Sequence, residues 1–501
     1  MAETIRLQRA PSRRPYSSPV FTTGPTWIVF SLVAFVIFLA IVLGGGARQG
    51  RWSDAAVQIV GLFLIVVLVF RTRRQNWRNI DSFAIVLVAA IVLLPLVQLI
   101  RLPPSFWGHL PGREMFALTF SETGIASPWL PVSLAPEATW RSWLSLIPVI
   151  AVFFATLALD RKSRRRLSLL VITLGVVSVI LGLAQLMQGS ASQLRLYPFT
   201  NSGDSVGFFA NRNHYAAFLT VLIPIVAAWA IGIIHDRRAN RQFGLAACLI
   251  VLAVLLIGIG IARSRAGVVL ALLAIGASFL LIPAKGGRMG RYSVLALGGT
   301  ALVGLALATE LSFFRVLARF ESDVLADLRF KIAEITASAV WSYFPVGTGF
   351  GTFADIYRIF EPRDALQQSY VNHAHNDWLE ILLEGGLPAG ILLIAFLVWF
   401  AMRSVRVWRQ PASSGSVLDQ TLVKAATIST ALLLLFSFVD YPLRTTTVSV
   451  VLAWLTATLV ASRQVDTNVV DDRHDRAIPT RRPHNSRSKR RSAGTPQRSF
   501  Q

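Results

Sequence analysis

The stretch Asn372-His373-Ala374-His375-Asn376-Asp377-Trp378-Leu379-Glu380 leads directly into an apolar run that ends near Met402. A transmembrane helix needs roughly 20 mostly apolar residues, and this run supplies them. Gly385-Gly386 and Pro388 interrupt it near its start. The apolar residues are continuous rather than alternating, and an open sheet edge cannot sit in lipid, so the run reads as a helix. Ionisable residues crowd its mouth. The stretch therefore sets two expectations: an all-α membrane fold, and a polar site at one end of a span.

Reading outward from this run predicts twelve spans, at about 26–46, 55–70, 82–100, 140–159, 167–188, 214–234, 243–262, 266–283, 293–309, 379–402, 421–440 and 445–462. The second and ninth are the shortest on this reading. Composition agrees. Hydrophobic residues make up 54% of the 501 and charged residues only 15%, well under the roughly 25% that a soluble domain uses to dress its surface. The formal charge of +23, from 49 Lys+Arg against 26 Asp+Glu, would by itself suggest a nucleic-acid partner. With so little polar surface, the positive charge must instead be segregated, and no nucleic-acid partner is expected. Cys248 is the single cysteine, which excludes an intrachain disulfide and a cysteine-based zinc site.

The segregation follows the positive-inside rule. Alternate connections carry Arg71/Arg73/Arg74/Arg78, Arg161/Lys162/Arg164/Arg165/Arg166, Arg237/Arg238/Arg241, Lys285/Arg288/Arg291 and Arg403/Arg406/Arg409. Both termini are then cytoplasmic, with 1–25 a retained basic segment ahead of the first span. Spans one to nine fill 26–309, a large outward loop fills 310–378, and spans ten to twelve fill 379–462. The tail, 463–501, holds eight basic and no acidic residues from Arg476 onward. It reads as a disordered segment near anionic membrane lipids. The outward loop has a helical-looking start, Leu311 to Trp341, and then a glycine-rich turn.

Four clusters could carry chemistry, and this topology puts all four outward. The first is the opening stretch, where helical spacing would align His373, Asp377, Glu380 and Glu384 on one face. Ionisable groups at a span mouth are expensive and usually functional; the plainer reading is an interfacial cap made by Asn376 or Asp377. His-x-His-x-Asp also resembles a metal-ligand spacing, but Trp378 stands where the common metallohydrolase pattern has a further histidine. The second cluster is Gly207 to Tyr215, containing Asn211-Arg212-Asn213-His214. The third is the turn Arg263-Ser264-Arg265-Ala266-Gly267, whose arginine forks suit phosphate or else snorkel to headgroups. The fourth is Asp440-Tyr441-Pro442-Leu443-Arg444, otherwise an interfacial aromatic with a paired charge. Pro345-Val346-Gly347-Thr348-Gly349-Phe350-Gly351 looks like a dinucleotide loop but has no strand–helix–strand context, so it reads as a turn.

Together these clusters resemble the O-antigen ligases and the related O-antigen polymerases. The family pattern is His, a small amide or hydroxyl residue, nine residues, Gly, three residues, then Gly or a similar residue. Here it is His375-Asn376, Asp377 to Gly385, Gly386, Leu387-Pro388-Ala389, Gly390. Asn211-Arg212-Asn213-His214, Ser264-Arg265-Ala266-Gly267, Pro345 to Gly351 and Asp440-Tyr441-Pro442-Leu443 follow in the family order, over roughly 200–445. The resemblance implies a polytopic inner-membrane glycosyltransferase, similar in architecture to the GT-C class, with its site facing the periplasm. It implies an undecaprenyl-diphosphate-linked glycan donor, an acceptor hydroxyl on lipid A–core or on another glycan, and neither metal nor other cofactor. His375 then takes the place of general base, a role suited to a side chain that titrates near neutrality. Arg212, Arg265 and Arg263 are candidates for the donor diphosphate. His373, Asn376, Asp377, Glu380, His214 and Asp440 are supporting residues.

A ligase and a polymerase of O-antigen or exopolysaccharide share this donor chemistry and differ in the acceptor. A lipid-linked glycan transporter or flippase also suits twelve spans, but it predicts two pseudo-symmetric halves and mid-membrane charges, and the sequence has neither. The topology is tested by single cysteines placed near residues 375 and 480. They should react with an impermeant thiol reagent from opposite sides; the same side for both contradicts it.

Overall fold

The structure is a computed structural model, and it describes residues 26–46, 52–71, 81–236, 240–282, 324–363, 371–410 and 416–461. The fold is all-α apart from one two-residue ribbon, and the chain is a multi-pass membrane protein. Among the described residues, eight helices are long and apolar enough to cross a bilayer: α1 (Thr26–Leu43), α2 (Trp52–Arg71), α6 (Pro136–Ala158), α7 (Arg161–Met187), α8 (Arg212–His235), α9 (Arg241–Ile261), α13 (Asp377–Arg409) and α14 (Val417–Phe436). Three shorter apolar helices accompany them: α3 (Ser82–Gln98), α10 (Arg265–Ser278, with a 3-10 turn to Leu281) and α15 (Thr446–Ala461). Eleven of the twelve expected runs are thus helical. The ninth, at 293–309, lies outside the described residues, as do 1–25, 463–501 and Leu311 to Asp323.

Several boundaries move. The second run, one of the two shortest expected, is a full 20-residue helix because Trp52, Ser53 and Asp54 extend its start and Arg71 its end. The tenth continues to Arg409, so Arg403, Arg406 and Arg409 are helical rather than loop. Arg403 is buried there and donates to Leu459 O at 3.0 and 3.1 Å, capping the carbonyl end of α15.

Helix α8 is buried from His214 to Val226 without a break. Apolar packing gives little drive between helices in lipid, so close approach and hydroxyl bonds matter more. Ser429 Oγ donates to Val221 O at 2.7 Å and Thr421 Oγ1 to Ala228 O at 3.3 Å, tying α14 to α8. Phe243, Leu249 and Ile250 on α9, and Ile59 and Phe70 on α2, are exposed, as lipid-facing residues should be.

At one end, the long connections are folded. β1 (Arg101–Leu102) pairs antiparallel with β2 (Leu130–Pro131), and between them lie α4 (Pro104–Trp107) and α5 (Glu114–Glu122). Arg113 is completely buried and donates to Pro111 O, Val132 O and Gly347 O at 2.7–2.8 Å. Burial pushes its guanidinium down to about 10 despite the neighbouring Tyr343 and Glu114. The long connection before α13 contributes α11 (Val324–Tyr343) and α12 (Phe353–Phe360). Ile332, Ile335, Tyr343, Phe353 and Ile356 form a second apolar cluster there, with Leu383 of α13.

The glycine-rich turn has a specific seat. At Gly386 the helix α13 breaks, with φ 59° and ψ −151°. The break releases carbonyls, and the turn takes them: Thr348 N donates to Leu383 O at 3.0 Å and Gly349 N to Glu384 O at 2.8 Å. In return Leu387 N donates to Pro345 O at 2.8 Å. A Cβ on Gly386 would lie 2.3 Å from Pro345 O, and one on Gly347 2.6 Å from Gly386 N. Gly386→Ala should therefore destabilise the protein by about 1–3 kcal/mol, from a positive φ combined with backbone contact. An unchanged thermal midpoint of the detergent-solubilised variant would contradict this packing.

Candidate active site

The opening stretch does not start as a helix. Asn376, at φ −160°, is the N-cap and accepts from Trp378 N and Leu379 N at 3.0 and 3.2 Å. His373 and His375 therefore precede α13, and His373 does not share its helical face as spacing alone suggested. Only Asp377, Glu380 and Glu384 keep that alignment, and all three are buried. They converge on Arg444, the last residue of the fourth cluster. Arg444 Nη1 donates to Glu384 Oε2 at 2.6 Å, and Nε lies 3.4 Å from Glu380 and 3.7 Å from Asp377. Burial by itself would lower the Arg444 pKa; Glu380, Glu384 and Asp377 outweigh it and raise it.

The remaining lone pairs go to backbone N–H groups and a histidine. Glu384 Oε1 accepts from Gly351 N at 2.9 Å and Phe353 N at 3.3 Å. Glu380 faces His373 Nδ1 at 2.8 Å and accepts from Ala374 N at 2.9 Å. Asp377 accepts from Leu443 N at 3.2 Å. The carboxylates thus pin the loop before α13, the glycine turn and the 440–444 segment to one point.

Next to this point lies a His–Asp pair. His375 Nδ1 is 3.3 Å from Asp440 Oδ1, and the His375 backbone has φ 51°, left-handed. The His375 side chain is 25% exposed and Asp440 only 1%, so the imidazole is reachable and its partner is not. Buried His214 places Nε2 3.7 Å from the same oxygen, an ion-pair distance beyond hydrogen-bond length. Burial would raise the Asp440 carboxyl; His214 and His375 reverse this and hold it well below the usual carboxylate range. Its stabilisation is complete above the unfolded value of about 3.9 and is lost as pH falls through the depressed folded value. The Tyr441 ring lies among all three imidazoles, 4.3 Å from His373, 4.7 Å from His214 and 4.9 Å from His375.

The other motifs join here through one amide. Asn213 donates through Nδ2 to Asp440 Oδ2 and accepts through Oδ1 from Ser264 Oγ at 2.9 Å. Ser264 caps α10 by accepting from Gly267 N at 3.1 Å. Arg265 opens α10 and is exposed. Arg212 Nη1 donates to Asp204 Oδ2 at 2.7 Å, and Arg263, also left-handed at φ 52°, lies 3.9 Å from Asp204 Oδ1. Two guanidiniums against one carboxylate leave this corner cationic.

All four motif clusters therefore meet at one end of the bundle. Several contributors were not singled out as site residues from sequence. Asn213, Ser264, Tyr441, Arg444 and Glu384 lay inside quoted motifs, but their partners are remote in the chain. Asp204 sits in the polar connection before α8. Arg329, on α11, lies 3.5 Å from Asp440 Oδ2, and no motif marked it. Among the described residues, no group of three or more His, Cys, Asp or Glu side chains is placed to hold a metal ion. The two histidines of the His-x-His-x-Asp run point to different carboxylates instead.

The fold is that of a multi-pass membrane protein with a buried polar cluster at one end of its helices. Residues 249–394 match the family model described as O-antigen ligase, a family whose members ligate or polymerise lipid-linked glycans. The match takes in Ser264 to Gly267, the Pro345–Gly351 turn and His375 to Gly390. It is narrower than the span over which the motifs were read, and Arg212, His214 and Asp440 lie outside it. No curated protein matches the chain.

Arg444→Met would leave three buried carboxylates without their shared cation. It should destabilise the protein by about 3–5 kcal/mol, with Arg444→Lys keeping part of the stability. Equal thermal midpoints for wild type and Arg444→Met would show that the carboxylates do not depend on it.

Proposed function

We propose that the chain is an O-antigen ligase-like glycosyltransferase of the bacterial inner membrane, with twelve spans, both termini cytoplasmic and its site facing the periplasm. It moves a glycan from undecaprenyl diphosphate to a hydroxyl of lipid A–core. The observation that carries this reading is the His375–Asp440 pair: an accessible imidazole held through Nδ1 by a buried carboxylate. Asp440 fixes the proton on Nδ1, so Nε2 presents the lone pair.

The acceptor hydroxyl gives its proton to His375 Nε2 as its oxygen bonds to the anomeric carbon. The bond from that carbon to the diphosphate oxygen breaks, and its electron pair leaves with undecaprenyl diphosphate. Ionised Asp440 stabilises the imidazolium formed. Arg212, Arg263 and Arg265 offset the charge growing on the diphosphate, where fixed cations act most strongly in a dry site. His373, Glu380, Asp377 and Asn376 hold the loop that carries His375, while His214 and Asn213 hold Asp440. A single displacement of this kind inverts the anomeric configuration.

His375→Ala should abolish transfer with the protein still in the membrane, and Asp440→Asn should slow it by roughly 10²-fold or more. Arg265→Lys should also slow it, because lysine keeps charge but loses the fork. Unimpaired transfer by His375→Ala would remove it as the base. A deletion strain separates ligase from polymerase. Long carrier-linked polymer with bare lipid A–core indicates a ligase, and carrier-linked single repeats indicate a polymerase, which would overturn the acceptor assigned here.

A further inference from the structure

The connection between α3 and α6 is closed by the β1–β2 ribbon and carries α4 and α5 between its ends. Its first half is held firmly. Trp107 Nε1 donates to Pro131 O at 2.7 Å. Arg113, the residue before α5, donates to Val132 O and to Gly347 O of the glycine turn at 2.7 and 2.8 Å. Beyond Arg113 burial stops. No residue of α5 is buried, and every residue from Ser121 to Trp129 is exposed.

Helix α5 meets α4 through Phe116, whose ring lies edge-on to Trp107 at 6.3 Å. Its other side presents Met115 and Leu118, and the segment after it presents Ile125 and Trp129. With Phe106 these side chains are 59–69% exposed. Five large apolar side chains gathered on one short connection mark a membrane or protein contact rather than a surface meant for water.

Two observations choose the membrane. The first is continuity. On the apolar helix α3, Val86, Leu93 and Val97 are exposed at helical spacing, and Ile100 continues the row just past its end. This lipid-facing row leads along the chain to Phe106. On the other flank, Trp140 in the second turn of α6 is exposed and stacks on Trp143 at 5.0 Å. Trp143 Nε1 in turn donates to Val92 O of α3 at 3.1 Å. Exposed tryptophan near the end of a span belongs at the headgroup level. Both ends of the connection thus leave the bundle at the rim of its lipid-facing surface.

The second observation is how α5 spends its hydroxyls. Thr119, Ser121 and Thr123 donate to Met115 O, Leu118 O and Thr119 O at 2.7–2.8 Å, all within the same helix. Internal satisfaction of this kind suits a helix that enters a medium poor in water. Glu114 and Glu122, at the two ends of α5, leave it without the basic face that draws a free helix to anionic lipid. The flanking helices supply the attachment instead, and the contact is apolar.

We propose that α5 and residues 123–129 lie in the headgroup–acyl boundary of the leaflet at the site end of the bundle, with Met115, Leu118, Ile125 and Trp129 immersed. The partner is the lipid surface itself. Arg113 links this surface-lying anchor to Gly347, so the depth of the anchor and the seat of the glycine turn are set together. The inference does not depend on the reaction assigned to His375.

The test uses full-length protein in vesicles of phosphatidylethanolamine and phosphatidylglycerol. In a Cys248→Ala background, a nitroxide is placed on a single introduced cysteine, Leu118→Cys or Ile125→Cys. Ser202→Cys, in the exposed part of the connection before α8, gives the aqueous reference. Relaxation by oxygen, which concentrates in lipid, is compared with relaxation by a water-soluble nickel chelate. The labels at 118 and 125 should respond to oxygen over the chelate, at a depth of about 5–10 Å, and the label at 202 to the chelate. A chelate response at 118 and 125 equal to that at 202 would put the segment in water and overturn the proposal. Low response to both reagents would mean that protein, another copy included, covers the segment, and would overturn it as well. The double variant Met115→Glu, Leu118→Glu should shift the 125 label toward the chelate response of 202 with an unchanged thermal midpoint, because both side chains are exposed in the fold. An unmoved 125 label in that variant would also count against the proposal.

Discussion

Arg444 against Asp377, Glu380 and Glu384 is the contact on which this end of the molecule depends. Buried charges are expensive, and three carboxylates against one guanidinium are not balanced by that pair alone. The shortfall is met by His373 and by the backbone N–H groups of Ala374, Gly351, Phe353 and Leu443. Those donors come from three separate segments. Satisfying the carboxylates therefore gathers the pre-α13 loop, the glycine turn and the 440–444 segment in one arrangement. The break at Gly386 serves the same end, because it frees the Leu383 and Glu384 carbonyls for the turn.

His375 is a consequence of this gathering. It lies between Ala374, held by Glu380, and the Asn376 cap, and it takes a left-handed backbone that costs about 1–3 kcal/mol for a non-glycine residue. Strain of that kind persists only where the surroundings over-determine it, and here both neighbours are fixed. The outcome is an imidazole aimed at a carboxylate that is itself buried, ionised and held by Asn213. The Asn213–Ser264 bond then ties the start of α8 to the start of α10, which brings the arginine-bearing turns to the same end.

Much of this was legible in the sequence. The apolar runs gave the helices because lipid demands length and continuity, and those are local properties. The four motif clusters were legible as polar groups at span ends, and charge alternation put them on one side. Local spacing failed where the chain changes conformation: a helical register carried back to His373 fails at Asn376, which the alternative reading named as a cap and whose side chain ends that register. Glu384 was visible on the right face, but its partners, Arg444 and two N–H groups of the glycine turn, are brought to it by folding. Arg329 and Asp204 left no signal, because an arginine on an amphipathic helix or an aspartate in a polar connection is unremarkable until its neighbour is known.

The central claim is that the His375–Asp440 pair drives glycan transfer from a polyprenyl diphosphate at this end of the bundle. It is tested most directly by purified protein in proteoliposomes containing undecaprenyl-diphosphate-linked glycan and lipid A–core, in the presence of a chelator. The account predicts one undecaprenyl diphosphate released for each glycan joined to lipid A–core, with inverted anomeric configuration and no response to the chelator. No release, retention of configuration, or loss of transfer on chelation would contradict it.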